Sequence, residues 1–189
     1  MSQGSAVSAE TGNGWIASVP PEHATGPLAQ AYQSQFDKIG RVTELTQLGS
    51  LYPDLVATRL RLYEVVDATP SDVPEHVRRA VALLTSVLNG CLFCTVGNTE
   101  KLTEAGYAGL AEAIKADPQS VVTGDAKADA AISYARKLVI DPRYIVEEDV
   151  AALREAGWSD LDILDINNIT AYYCYINRVA AGLGLQREA

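Results

Sequence analysis

The chain has 189 residues, 48% of them apolar and 7% aromatic, and its 24 acidic and 15 basic side chains give a formal charge of −9. That length builds one compact domain with a mostly aliphatic core, and a second independent domain would leave both halves thin. The negative balance excludes nucleic acid and anionic membrane surfaces as natural partners. Three cysteines, two of them in a CxxC, are not the staples of a small secreted domain.

The first thirteen residues are rich in Ser, Gly and Ala and lack the basic start and apolar stretch of a secretory signal. The longest apolar runs, such as Ala80-Val81-Ala82-Leu83-Leu84, fall far short of the roughly 20 residues that cross a bilayer. A cytoplasmic location is expected, with residues 1–24 as a flexible tail and 25–185 as a single domain.

Apolar positions recur at helical spacing along nearly the whole chain, and no stretch alternates with period two, so the expected class is all-α. Pro27 opens a helix that places Leu28, Tyr32 and Phe36 on one face. Pro53 opens the next, with Leu55, Leu60, Leu62 and Val66, and Thr69-Pro70-Ser71-Asp72 breaks it. Pro74 starts a helix whose Val77, Val81, Leu84 and Leu88, flanked by Ala80 and Val87, form a broad buried stripe ending at Asn89-Gly90. From about Cys94 a helix runs to Gly106, and a short one follows to Asp117-Pro118. Helices near 126–139, 147–156 and 160–183 complete the chain, the last with Ser159 as its N-cap and acids in its first turn. Cys94 to Leu102 and Cys174 to Leu183 share a faint likeness, as two related helical units would.

The chemistry-bearing feature is Cys91-Leu92-Phe93-Cys94. Two sulfurs at this spacing can form a local disulfide, and a helix beginning at the second cysteine would turn its free N–H groups toward that sulfur. Cys94 is therefore the expected nucleophile, attacking a hydroperoxide to give a sulfenic acid that Cys91 resolves to a disulfide. The competing structural reading is a pair of small buried hydrophobes at a tight helix junction. Zinc wants four ligands, and the two histidines, His23 and His76, lie far off in sequence; no metal or cofactor is expected. The Tyr172-Tyr173-Cys174-Tyr175 cluster reads as core or subunit packing, or as hydroxyls lining a pocket over the thiols.

The segment Val77 to Gly106, with CLFC at its centre, resembles the active-site segment of the alkylhydroperoxidase D and carboxymuconolactone decarboxylase superfamily. Asp141-Pro142, Glu147-Glu148-Asp149-Val150, Ala156-Gly157-Trp158-Ser159-Asp160 and Asn177-Arg178-Val179-Ala180 resemble its peroxidase-related branch. The resemblance spans roughly residues 25 to 185 and implies an alkylhydroperoxidase-D-like helical domain, a homo-oligomer, and a small hydroperoxide substrate with a dithiol reductant. It also implies a relay Glu and His that activate the thiol, and this chain has Arg79 and Asn98 at the matching positions.

Two functions follow from those replacements. In a thiol peroxidase or disulfide-redox enzyme, Arg79 would stabilise the thiolate as a permanent cation and Asn98 would hydrogen-bond the sulfur or the hydroperoxide. In a non-redox decarboxylase, isomerase or tailoring enzyme of the same fold, Arg79 would grip the carboxylate of an acidic metabolite.

Overall fold

A computed structural model describes residues 10–12 and 14–185. Nine α-helices are found among them: α1 (Gly26–Ile39), α2 (Glu44–Leu48), α3 (Pro53–Asp67), α4 (Glu75–Leu88), α5 (Leu92–Glu104), α6 (Ala108–Ala116), α7 (Ala126–Ile140), α8 (Glu147–Glu155) and α9 (Asp160–Gly182). The only strands among the described residues are β1 (Glu10–Thr11) and β2 (Ala17–Ser18), a two-residue antiparallel pair. The fold is all-α, as the periodicity requires. No described helix is long and apolar enough to cross a membrane.

Among the described residues, 66–181 form one compact unit, and those up to 65 with 182–185 form another. In the first, α4 is the central element and packs on α5, α6 and α7. Its apolar stripe is joined by Ala82, Leu83, Thr85 and Ser86, so that from Ala80 to Ser86 the helix is buried on every side. A helix enclosed all round needs small residues and internally satisfied hydroxyls. Thr85 and Ser86 accordingly donate to the carbonyls of Val81 and Ala82.

The start of α9 is anchored as its sequence suggests. Ser159 Oγ accepts the Asp162 N–H at 3.2 Å, while Asp162 Oδ2 accepts the Ser159 N–H at 2.9 Å, a reciprocal cap with Asp in the third position. Asp162 also accepts the Asp72 N–H at 2.8 Å, tying the breaker before α4 to the head of α9. Burial works to raise the Asp162 pKa, but the Ser159 and Asp72 donors and the Lys127 charge outweigh it, and the pKa is lowered.

In the other unit, Tyr32 donates to the Val19 carbonyl at 2.8 Å and Ser50 Oγ accepts the Val19 N–H at the same distance. Val19, Leu28 and Tyr32 form one small core and Ala31, Val56 and Leu60 another. Phe36, which shares a helix face with the buried Leu28 and Tyr32, and Leu55 and Leu62 of the next long helix are substantially exposed. The helix α2 was not foreseen from periodicity; its one turn is started by Thr43, whose hydroxyl accepts the Thr46 N–H. Of the segment expected as a tail, residues 1–9 and Asn13 lie outside the described residues, and Ala17–Ser18 is paired with Glu10–Thr11.

Candidate active site

Cys91 is the joint between α4 and α5. Asn89 closes α4, Gly90 follows at φ +67°, and the Gly90 and Cys91 N–H groups return to the carbonyls of Val87 and Ser86 at 3.0 and 3.1 Å. These two crossed bonds make a Schellman motif, which requires the left-handed residue that glycine supplies. The next residue, Leu92, begins α5. The helix thus starts two residues earlier than expected, because Cys91 itself serves as its N-cap. Its sulfur accepts the Cys94 N–H at 3.4 Å, in the place of a Ser or Asp oxygen.

This geometry divides the two thiols. The Cys91 pKa is lowered to about 7, chiefly because the Cys94 side chain donates to its sulfur, with help from the Cys94 backbone N–H and against the effect of burial. The Cys94 pKa is raised, first because its proton is held by Cys91, then by burial and by the charge of the Cys91 thiolate. The helix-terminal N–H groups thus favour the first cysteine, whereas the sequence had pointed them at the second. Both sulfurs belong to free, buried cysteines.

Cys91, Cys94, Asn98 and Leu102 make one buried stripe along α5. Asn98 Nδ2 donates to Ser86 Oγ at 3.0 Å and more weakly to the Ala82 carbonyl at 3.5 Å, both on α4. Ser86 Oγ lies 3.3 Å from Asn177 Oδ1 on α9, and Asn177 Nδ2 donates to the Thr85 carbonyl. Asn98 is therefore part of a buried amide–hydroxyl–amide chain through three helices. Arg79 is engaged elsewhere: its guanidinium meets Asp67 at 2.7 Å and Glu75 at 3.5 Å. The structure joins Cys91 to Cys94, sets Asn98 one turn below them, and holds Arg79 against two carboxylates.

Sequence reasoning passed over two neighbours. Arg78 keeps only 11% of its side chain exposed, is paired with Asp165 and donates to the Val66 and Asp67 carbonyls. Its partner Asp165 also accepts Ser71 Oγ at 2.5 Å; burial dominates and raises the Asp165 pKa in spite of those donors. Cys174 is half-buried beside the α4 terminus, its sulfur 3.6 Å from Asn89 Nδ2, and Asn89 Oδ1 accepts Arg178 Nη1 at 3.4 Å. Tyr172 and Tyr173 are buried with rings edge to face at 5.5 Å. His76 is stacked on Tyr107 at 4.4 Å. Among the described residues no three His, Cys, Asp or Glu side chains converge on a metal position.

No protein-family profile and no curated protein matches the chain. Solved structures do. A peroxidase-related protein from Silicibacter sp. TM1040 superposes with a TM-score of 0.78 at 22% identity, covering 100% of this chain and 96% of the other. An alkylhydroperoxidase AhpD core protein from Ralstonia eutropha JMP134 gives 0.82 at 22% identity over 95% and 94% of the two chains. The debrominase Bmp8, crystallised as a Cys-to-Ala variant with 2,3,4-tribromopyrrole, gives 0.75 at 19% identity over 100% of this chain and 95% of the other. At these identities the likeness establishes the fold, which is that of the alkylhydroperoxidase-D-like proteins.

Proposed function

We propose that this chain, an alkylhydroperoxidase-D-like fold carrying a capped CxxC at a helix joint, is a dithiol oxidoreductase that reduces a small electrophile while Cys91 and Cys94 become a disulfide. The observation that carries the reading is the asymmetry of the pair: the Cys91 sulfur caps α5 and accepts the Cys94 N–H, a position that favours the thiolate at Cys91 and leaves the proton on Cys94. The favoured substrate class is an organic hydroperoxide. The peroxidase-related relatives in fold support it, and the debrominase extends the range to a polarised carbon–bromine bond.

The pair has the groups for both halves of the turnover. The Cys91 thiolate attacks the terminal oxygen of the hydroperoxide, forming S–O as O–O breaks. The leaving alkoxide takes the Cys94 proton and departs as the alcohol. Cys94, now a thiolate, attacks the sulfenic sulfur; S–S forms, S–O breaks, and hydroxide leaves as water with a solvent proton. A dithiol donor then restores the pair. With an aryl bromide the Cys91 thiolate attacks bromine, S–Br forms as C–Br breaks and the carbanion takes the Cys94 proton; the Cys94 thiolate then attacks the Cys91 sulfur, S–S forms, S–Br breaks and bromide leaves.

In this scheme Cys94 is acid first and resolving thiol second, which answers the missing relay without calling on Arg79 or Asn98. The scheme reverses the roles expected of the two cysteines from sequence, and the start of α5 at Leu92 supports that reversal. A carboxylate substrate at Arg79 would have to displace Asp67 and Glu75, which ranks the non-redox reading second.

Intact mass after thiol alkylation tests the proposal, before and after stoichiometric cumene hydroperoxide. The wild type should lose two alkylatable thiols, Cys94→Ser should stop at a dimedone-reactive sulfenic acid, and Cys91→Ser should not react. Thiols that stay free for hours in the wild type would refute it.

A further inference from the structure

Arg59 on α3 is a buried cation with no acid paired to it among the described residues. The residue is 9% exposed, and among the described residues its side chain makes one hydrogen bond, from Nη2 to Thr46 Oγ1 at 2.6 Å. It makes no ion pair with any described residue, although 24 acidic side chains are available in the sequence. Thr46 is itself fully buried and shares its hydroxyl with Thr43 Oγ1 at 3.0 Å, so a neutral pair of threonines is all that answers the charge. A buried guanidinium in such a place is strongly disfavoured until an anion joins it.

Two further observations say what that anion is. Among the described residues the fully buried polar side-chain atom left without a partner is Thr99 Oγ1, so the unused nitrogens of Arg59 are not completely sealed from solvent. Tyr52, Leu55 and Leu62 precede and follow Arg59 on the same face of the chain, seven and four residues before and three after. All three are large apolar side chains left exposed. One planar cation matches one carboxylate in a bidentate pair, and an apolar rim suits the body of an aromatic or aliphatic acid. A phosphate dianion would leave a net negative charge against the same rim.

We propose that Arg59, with Thr46 behind it and Tyr52, Leu55 and Leu62 around it, is a binding site for a small carboxylic acid with an apolar body. The site is independent of the thiol pair, and its failure leaves the dithiol reading standing.

Thermal unfolding of the full chain is the test, with sodium benzoate as probe against sodium chloride at matched ionic strength. Benzoate should raise the wild-type Tm saturably beyond chloride, because a ligand that binds only the folded state stabilises it by mass action. Arg59→Met removes the uncompensated charge at similar volume, and Leu55→Glu supplies an acid four residues before it, the favourable orientation on a helix. Each should raise the ligand-free Tm and lose the benzoate response. Equal responses to benzoate and chloride, a benzoate response kept in both variants, or lower melting of both variants would overturn the proposal. So would a wild-type Tm that is blind to benzoate and climbs with protein concentration, which would assign the carboxylate to a second copy of the chain.

Discussion

The sulfur of Cys91 lies 3.4 Å from the amide nitrogen of Cys94 and accepts its hydrogen, so one cysteine caps the helix on which the other rides. A thiolate gains more from that position than a thiol, since the first-turn N–H groups carry partial positive charge.

The first expected consequence is kinetic. Iodoacetamide alkylation of the reduced wild type should rise with pH about a midpoint near 7, the lowered Cys91 pKa, followed by mass spectrometry peptide by peptide. The sign is set by the thiolate being the nucleophile: modification is slow below the midpoint and fast above it. Cys94→Ala removes the first donor and should move the midpoint up toward the ordinary thiol range of about 8.5. An unmoved midpoint would show that Cys94 does not set the acidity of its neighbour.

Gly90 tests the joint from the other side. A Cβ there meets nothing within 4 Å, so Gly90→Ala is penalised through its φ of +67° alone. The expected loss is about 1–2 kcal/mol in urea unfolding, with an upward shift of the Cys91 midpoint as the cap is displaced. Gly90→Asn, whose side chain tolerates the left-handed region, should lose less on both scales.

The buried pair Arg78–Asp165 predicts a strong non-additivity. Asp165→Leu alone strands a buried guanidinium and should cost roughly 3–5 kcal/mol. Adding Arg78→Met should return a good part of that loss, giving a double variant more stable than the single one. Simple additivity of the two losses in urea titrations would contradict a coupled buried pair.

Asn98 and Arg79 separate structural from chemical roles. Asn98→Ala removes the donor to Ser86 and Ala82 and should lower stability by about 1–3 kcal/mol. Arg79→Ala loses partners that are themselves partly solvated and should cost roughly 0–1 kcal/mol. Neither variant should move the alkylation midpoint of Cys91, since each side chain is committed to other partners. A shift of a full unit in either would return that residue to the thiol chemistry.

What the sequence made legible was local. Asn89-Gly90 announces the end of α4 because glycine alone is at ease at positive φ, and Ser159 with Asp162 announces α9 because both halves of the cap lie within four residues. The start of α5 was missed by two residues because cysteine is not among the side chains read as helix caps. Arg78 and Arg59 were illegible for a different reason. An arginine on a helix is normally wet, and the acid that buries Arg78 stands 87 residues downstream, beyond the reach of any helical period. The exposure of Phe36, Leu55 and Leu62 was likewise hidden, since periodicity marks an apolar face without saying whether anything covers it.

The double duty of Cys91 couples redox state to backbone order. Its N–H completes the terminus of α4 and its sulfur holds the amide hydrogen of Cys94, the third residue of α5. A disulfide removes the negative charge from that sulfur, and with it the stronger part of its hold on the first turn. The oxidised protein should exchange the Cys94 amide hydrogen with solvent faster than the reduced one. A reducing partner would then meet a loosened helix end in the one state that it has to recognise.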